Sequence, residues 1–195
     1  MVSRPPRGDR QDGLAPAARR ANGLQVRPGD HPEFFRFPPP EGRSRESTLR
    51  LDAQGRFWHE GRLVEHAGLS AGLHGWISRH PDDGRYILTN GYDWTYFTVE
   101  DAPYFVRALR PESDRVVLVL SDGAEEAWAP ETSRIGTGDA VYAMVKRDAR
   151  GGPYEARFTP HAQTSLAPLL VEGDGAAVKI GGQVHVIGAK STRFG

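Results

Sequence analysis

Four histidines, His59, His66, His74 and His80, fall close together in this chain of 195 residues. Zinc needs about three nitrogen or oxygen ligands converging on one point. His66 and His74 stand more than two helical turns apart, too far to grip one ion together. The chain spells neither His-x-x-x-His nor His-Glu-x-x-His. No metal and no cofactor is expected, and the imidazoles are assigned to helix caps, core edges and surface. Two adjacent carboxylate pairs follow, Asp82-Asp83 and Glu100-Asp101. Asp83 with Gly84 spells a turn. Glu100 and Asp101 close an aromatic stretch just before Pro103. They either cap a turn, or one of them holds a ligand or orients Arg62 or Arg157. With His59 or His66 beside it, Glu100 or Asp101 would also serve as the general base of a hydrolase, if the groups meet within about 3 Å of one substrate position.

Other chemistry finds less support. Cysteine is absent, which excludes disulfides, thiolate catalysis and cysteine-ligated zinc. There is no Gly-x-Ser-x-Gly, and Ser70 and Ser165 lie in helical patterns. The glycines around Thr137 lack the lysine of a phosphate loop. The best binding surface is aromatic. Strand alternation from Tyr92 to Val99 puts Tyr92, Trp94 and Tyr96 on one face. Rings with polar tips suit ligand and partner surfaces, and ordinary sheet packing, or cover by the Phe34–Phe37 arm, is the competing reading.

The elements that must position these groups read as short strands and two helices. Leu49–Leu51, Arg56–Trp58 and Leu63–Val64 are strand-like, separated by Gln54-Gly55 and Glu60-Gly61. Leu69, Leu73, Trp76 and Ile77 share one helical face, which His66 and His80 extend to the stop at Pro81. Asn90-Gly91 predicts a two-residue hairpin between Tyr86–Thr89 and Tyr92–Val99. Tyr104–Leu109 fits no single period. Val116–Leu120 reads as a strand covered on both faces. Ala140–Lys146 and Tyr154–Phe158 form a hairpin, and Pro160 opens a second helix that Pro168 kinks or shortens. A closing hairpin runs from Ala176 to Ile187.

Hairpin, helix, hairpin is thus spelled from about Leu51 to Val99 and again from Val141 to Ile187. At an offset of 95 residues Arg62, His66, Ala67 and Ser70 answer to Arg157, His161, Ala162 and Ser165. The predicted fold is α+β, with two related ββαββ-like lobes of small antiparallel sheets, each with one helix. The predicted divisions are a disordered Pro/Arg-rich arm over 1–45, lobes over 46–110 and 111–190, and a tail over 191–195. The arm holds eight of fifteen prolines and too few aliphatic residues to offset chain entropy. Its Phe34, Phe35 and Phe37 either dock on the domain or form a linear motif for another protein.

Formal net charge is zero, with nine arginines against five acids in the first 45 residues and an acidic excess beyond them. That distribution argues against a nucleic-acid surface on the folded part. No apolar run reaches the length of a membrane span and no signal-peptide core opens the chain, so a soluble cytoplasmic protein is expected.

Between Thr48 and Gly188 the chain resembles the DUF1285 family of bacterial proteins. The resemblance rests on Gly55-Arg56-Phe57-Trp58-His59-Glu60-Gly61, Asp83-Gly84-Arg85-Tyr86-Ile87-Leu88-Thr89, Val99-Glu100-Asp101-Ala102-Pro103-Tyr104, Glu155-Ala156-Arg157-Phe158, and Gly181-Gly182 with Ile187-Gly188. It implies an α+β fold of repeated motifs and a role in signalling. The family places an Arg at each helix start, where this chain has His66 and Pro160.

Three functional readings follow. The first is a non-enzymatic regulatory module for a small molecule or protein, with Arg62, His66, Tyr92, Trp94, Tyr96, Glu100, Asp101 and Arg157 lining a groove between lobes. The second is the hydrolase. The third is a structural interaction protein that recruits its partner through the arm.

Overall fold

A computed structural model describes residues 27–171 and 176–188. The expectations for 1–26 and for the 191–195 tail lie outside the described residues. The fold is α+β: two six-stranded sheets, a three-stranded sheet and short helices.

The first sheet takes β1 (Glu46–Leu51), β2 (Phe57–His59), β3 (Arg62–Leu63), β4 (Ile77–Arg79), β5 (Tyr86–Thr89) and β6 (Trp94–Val99), with α1 (Ala67–Gly75) between β3 and β4. Its order is β3-β2-β1-β6-β5-β4. The second takes β7 (Tyr104–Pro111), β8 (Val116–Leu120), β9 (Glu125–Ala127), β10 (Arg134–Ile135), β11 (Val141–Val145) and β12 (Tyr154–Phe158). Its order is β10-β11-β12-β7-β8-β9. Then come α2 (Pro160–Thr164) and the small sheet β13 (Leu170–Val171), β14 (Ala177–Ile180), β15 (Gln183–Val186).

Several expectations are corrected. Both large sheets are mixed rather than antiparallel, because β1 lies parallel to β6 and β7 parallel to β12. The chain passes between sheets at residues 100–103, not at 110, since β7 hydrogen-bonds to β8 and β12. Leu51–Val99 and Val141–Ile187 differ in topology. In the first all strands share one sheet, whereas β13–β15 stand apart from β11 and β12. Arg62 sits on an edge strand beside His59, while Arg157 lies on an interior strand flanked by β11 and β7.

α1 stops at Gly75, well short of Pro81, because Ile77–Arg79 pairs with Tyr86–Leu88. Sheet hydrogen bonding outweighs the helical period there. The Asn90-Gly91 hairpin has a four-residue loop, with Asn90 Oδ1 accepting from the backbone of Tyr92 and Asp93, both at 2.9 Å. Tyr92 is therefore a loop residue and not a member of the aromatic face.

One apolar core joins the layers. Leu51, Phe57, Leu88 and Phe97 of the first sheet meet Phe105, Val106, Leu120 and Phe158 of the second, and Val178 and Ile180 of the small sheet. Gly55 fixes how closely the layers approach. Its φ is +79°, and an added Cβ would lie 2.8 Å from the Phe105 ring, so only glycine lets the β1–β2 turn sit flush on β7.

Candidate functional site

The arm settles the fate of the aromatic face. Residues 27–45 are ordered on the domain as two short 3₁₀ turns and an extended run. The predicted disorder does not hold there, because the outer face of the first sheet offers apolar cover. Phe35 is 3 % exposed and packs with Ile87 and Trp94, edged by Phe34 and Tyr96. His80, itself buried, accepts at Nδ1 from the Asp82 N–H, so its Nε2 donates to the Phe35 carbonyl at 3.2 Å. Arg36 grips Asp82 at 2.9 Å, Arg45 lies 4.5 Å over the Trp94 ring, and the Gly29 N–H reaches the Gly91 carbonyl at 2.8 Å. Arg150, from the β11–β12 turn, donates to the Gly29 carbonyl. The arm thus binds hairpins of both sheets.

Trp94 and Tyr96 are therefore packed against the chain's own arm. Burial and a hydrogen bond to Asp83 push the Tyr96 hydroxyl up to about 12. Tyr92 stands apart, 57 % exposed.

The Val99–Tyr104 motif builds the passage between sheets. Glu100 accepts from Arg50 and from the Ala53 N–H. Asp101, with its side chain largely buried, accepts from Arg157 Nη1 at 2.9 Å and from the Tyr142 hydroxyl at 2.9–3.0 Å. Burial and that acceptor raise the Tyr142 pKa. Arg157 also donates to the Ala53 carbonyl at 3.3 Å, tying β12 to the β1–β2 turn. Of the two acids of the motif, Asp101 is the one that holds Arg157. Arg62 is exposed on β3, away from this cluster. His66 is the N-cap of α1, where Nδ1 accepts from the Leu69 N–H at 3.1 Å. His59 is exposed at the end of β2. These engagements supply positioning rather than general-base geometry.

What opens between the sheets is a different set of residues. A cleft of about 590 Å³ is bounded by Gln54–Arg56 of the β1–β2 turn, Leu63–Glu65, Ser70 of α1, Arg107 of β7 and Thr159. Asp52 holds the turn. Its carboxylate, 3 % exposed as a residue, accepts from the Gln54 and Arg56 N–H groups, Arg56 Nε and Trp58 Nε1 at 2.8–2.9 Å. Burial alone would raise its pKa, but these donors outweigh burial and hold it below the usual carboxylate range.

Arg107 reaches the cleft through a β-bulge. Val106 pairs with Leu120 and Ala108 with Val119, so Arg107 is the extra residue on its strand. Bulges re-aim a side chain in this way. Among the described residues its guanidinium has no ion pair or hydrogen bond. Sequence reasoning missed Arg107. The available signal was a lone cation inside the apolar run Tyr104–Leu109, the segment that fitted no period.

Among the described residues no group of three or more His, Asp or Glu is placed to hold a metal ion, and no helix is long and apolar enough to cross a membrane.

No family model matches the sequence, and no curated protein matches it. Two crystal structures are similar in fold. One is a DUF1285 family protein from Silicibacter pomeroyi DSS-3, 19 % identical, with 77 % of this chain and 83 % of that one covered at a TM-score of 0.57. The other is a DUF1285 family protein from Shewanella baltica OS155, 16 % identical, with 64 % and 94 % covered at 0.51. The chain has the fold of DUF1285 family proteins, as the resemblance of its motifs implied.

Proposed function

We propose that this protein is a non-enzymatic binding module that takes a small molecule into the cleft between its two large sheets. The observation that carries this reading is the cleft itself. It draws its walls from both sheets and from α1, and Arg107 is turned into it by a bulge. Pockets that combine apolar walls with a few convergent polar groups are the usual form of a small-molecule site. Leu63 and Val64 supply the apolar wall; Arg56, Glu65, Ser70, Arg107 and Thr159 supply the polar groups. A ligand bridging the sheets would change how they are held together, which suits a regulatory role.

The groove is thus moved from the residues expected from sequence. Asp101 and Arg157 stand outside its lining, where they tie β12 to the β1–β2 turn, and the aromatic face is left to the arm. The hydrolase reading draws no support from the partners of Glu100, Asp101 and His66.

The test is amide chemical-shift mapping against a metabolite panel spanning anions, cations and neutral compounds. Binding should move the amides of Gly55, Val64 and Ser70 in a saturable way. A panel that leaves all three unmoved, or moves only residues remote from the cleft, overturns the reading.

A further inference from the structure

We infer that Arg107 and Arg56, with the hydroxyls of Ser70 and Thr159, form an oxyanion subsite in this cleft, so that its ligand carries a carboxylate or phosphate group. The inference rests on the cleft's being the binding site. It deepens that reading by fixing the charge of what enters.

The donors are in place and unspent. Arg107 has no partner among the described residues, and a guanidinium presents five N–H donors in a planar fork matched to carboxylate and phosphate. Arg56 uses Nε on Asp52 at 2.8 Å and Nη2 on Gln54 at 3.3 Å, while Nη1 makes no hydrogen bond among the described residues. Thr159 Oγ1 accepts from the Ala162 N–H as the N-cap of α2, and its own proton remains to be donated. The Ser70 hydroxyl makes no hydrogen bond among the described residues. Two features place these donors. The bulge aims Arg107, and the Gly55 turn, packed flush on Phe105, brings Arg56 to the same opening.

The cleft has one carboxylate, Glu65, against its two guanidiniums. Asp52 compensates Arg56 from behind, buried beneath the turn. The anion is therefore expected chiefly on Arg107, with its apolar remainder along Leu63 and Val64.

The test uses four probes of one shape on the full chain: phenyl phosphate, benzoate, benzyl alcohol and benzylamine. Binding is read from the amides of Gly55, Val64 and Ser70 and from the Arg107 Nε–Hε signal. The two anions should bind, move the Arg107 signal, and weaken as sodium chloride is raised. Arg107→Ala should weaken them at least tenfold, Arg107→Lys less, and Arg147→Ala, on the exposed β11–β12 turn, not at all. If benzyl alcohol or benzylamine binds as tightly as the anions, or if Arg107→Ala binds phenyl phosphate as the parent does, the oxyanion inference is overturned while the cleft remains a binding site. If none of the four probes moves a cleft amide while another compound of the metabolite panel does, the oxyanion inference again falls alone. If nothing moves them, both readings fall.

Discussion

Three phenylalanines within four residues of the arm provide a controlled experiment on what the arm does. Phe35 is 3 % exposed, Phe34 half-buried and Phe37 62 % exposed. A fully buried Phe removes roughly 150–200 Å² from water, worth about 4–5 kcal/mol at ~25 cal/mol per Å². Core Phe→Ala changes cost ~3–5 kcal/mol when the site cannot collapse. Here the loss has a ceiling, because the arm can leave the surface entirely. Undocking exposes Ile87 and Trp94, which are 0 % and 6 % exposed in the intact fold. It also removes the acceptor for His80 Nε2. Phe35→Ala is therefore expected to cost about 3 kcal/mol, or roughly 6–12 °C in melting temperature for a domain of this size. Phe34→Ala should cost about 1 kcal/mol, and Phe37→Ala should lie within about 0.5 kcal/mol of the parent. The assay pairs thermal melts with hydrogen exchange at the amides of Ile87 and Trp94. In Phe35→Ala those amides should lose protection before the β8 amides do, since only the arm's face is uncovered. Equal melting temperatures for Phe35→Ala and Phe37→Ala, or unchanged exchange at Trp94, would refute the docked arm.

Three further outcomes follow from the site. Removing Asp101 alone leaves Arg157 and the Tyr142 hydroxyl without their shared partner; Asp101→Ala should cost about 2 kcal/mol in urea melts, and a cycle with Arg157→Ala should show coupling of about 1 kcal/mol, given that Arg157 is partly exposed. Gly55→Ala meets both a positive φ and the Phe105 ring, so a loss of at least about 1–2 kcal/mol is expected, with Gly61→Ala, at φ +74° with open space around it, losing less. His74 is fully buried, and desolvation lowers its pKa below the ordinary value. Below a pH of about 6.5 the unfolded chain takes up a proton that the folded chain refuses. Stability should therefore fall with pH there, by at most about 1.4 kcal/mol per unit from this group. His74→Leu should remove that part of the slope, and identical pH profiles for parent and variant would show that the imidazole is not held neutral.

Much of the chain was legible because the strongest signals are local. Val116–Leu120 is a strand with the expected cover, Tyr154–Phe158 is the expected strand, and Pro160 and Pro168 bound a shortened helix. What could not be read was pairing between distant segments. Trp76 and Ile77 fit a helical stripe as well as a strand, and only the β5 partner decides. The aromatic face could be read as strand residues, with the Phe34–Phe37 arm among its possible covers, but which cover holds could not be read, since Phe35 and Trp94 meet across 59 residues of sequence. At the site, the link between Asp101 and Arg157 was among the charge pairings the sequence suggested. Arg107 was not, because its exposure depends on a one-residue mismatch with β8 that no pattern within β7 reveals.

The repetition expected at an offset of 95 residues has a different counterpart in the structure. Each large sheet is wired alike: a three-strand meander, a connection, and a second three-strand meander whose last strand returns parallel to the first. In this wiring Leu51 stands where Val106 does, both 0 % exposed. The residue after each last strand closes the parallel pair in the same way, Glu100 N–H on the Leu51 carbonyl and Thr159 N–H on the Val106 carbonyl, both at 3.0 Å. Just past these points the sheets diverge. After Leu51 the chain turns at Asp52, whose carboxylate is filled by its own turn, and Glu100 is taken by Arg50. After Val106 the strand bulges at Arg107 and runs on. The cleft forms where these corresponding ends face one another, with Arg56 from one sheet and Arg107 and Thr159 from the other. The acids at this junction, Asp52, Glu100 and Asp101, all have partners within the fold. Among the described residues Arg107 and Glu65 are the cleft's two charges without an ion pair, and Arg107, with Nη1 of Arg56 and the Ser70 and Thr159 hydroxyls near the same opening, is why the cleft is expected to select an anion.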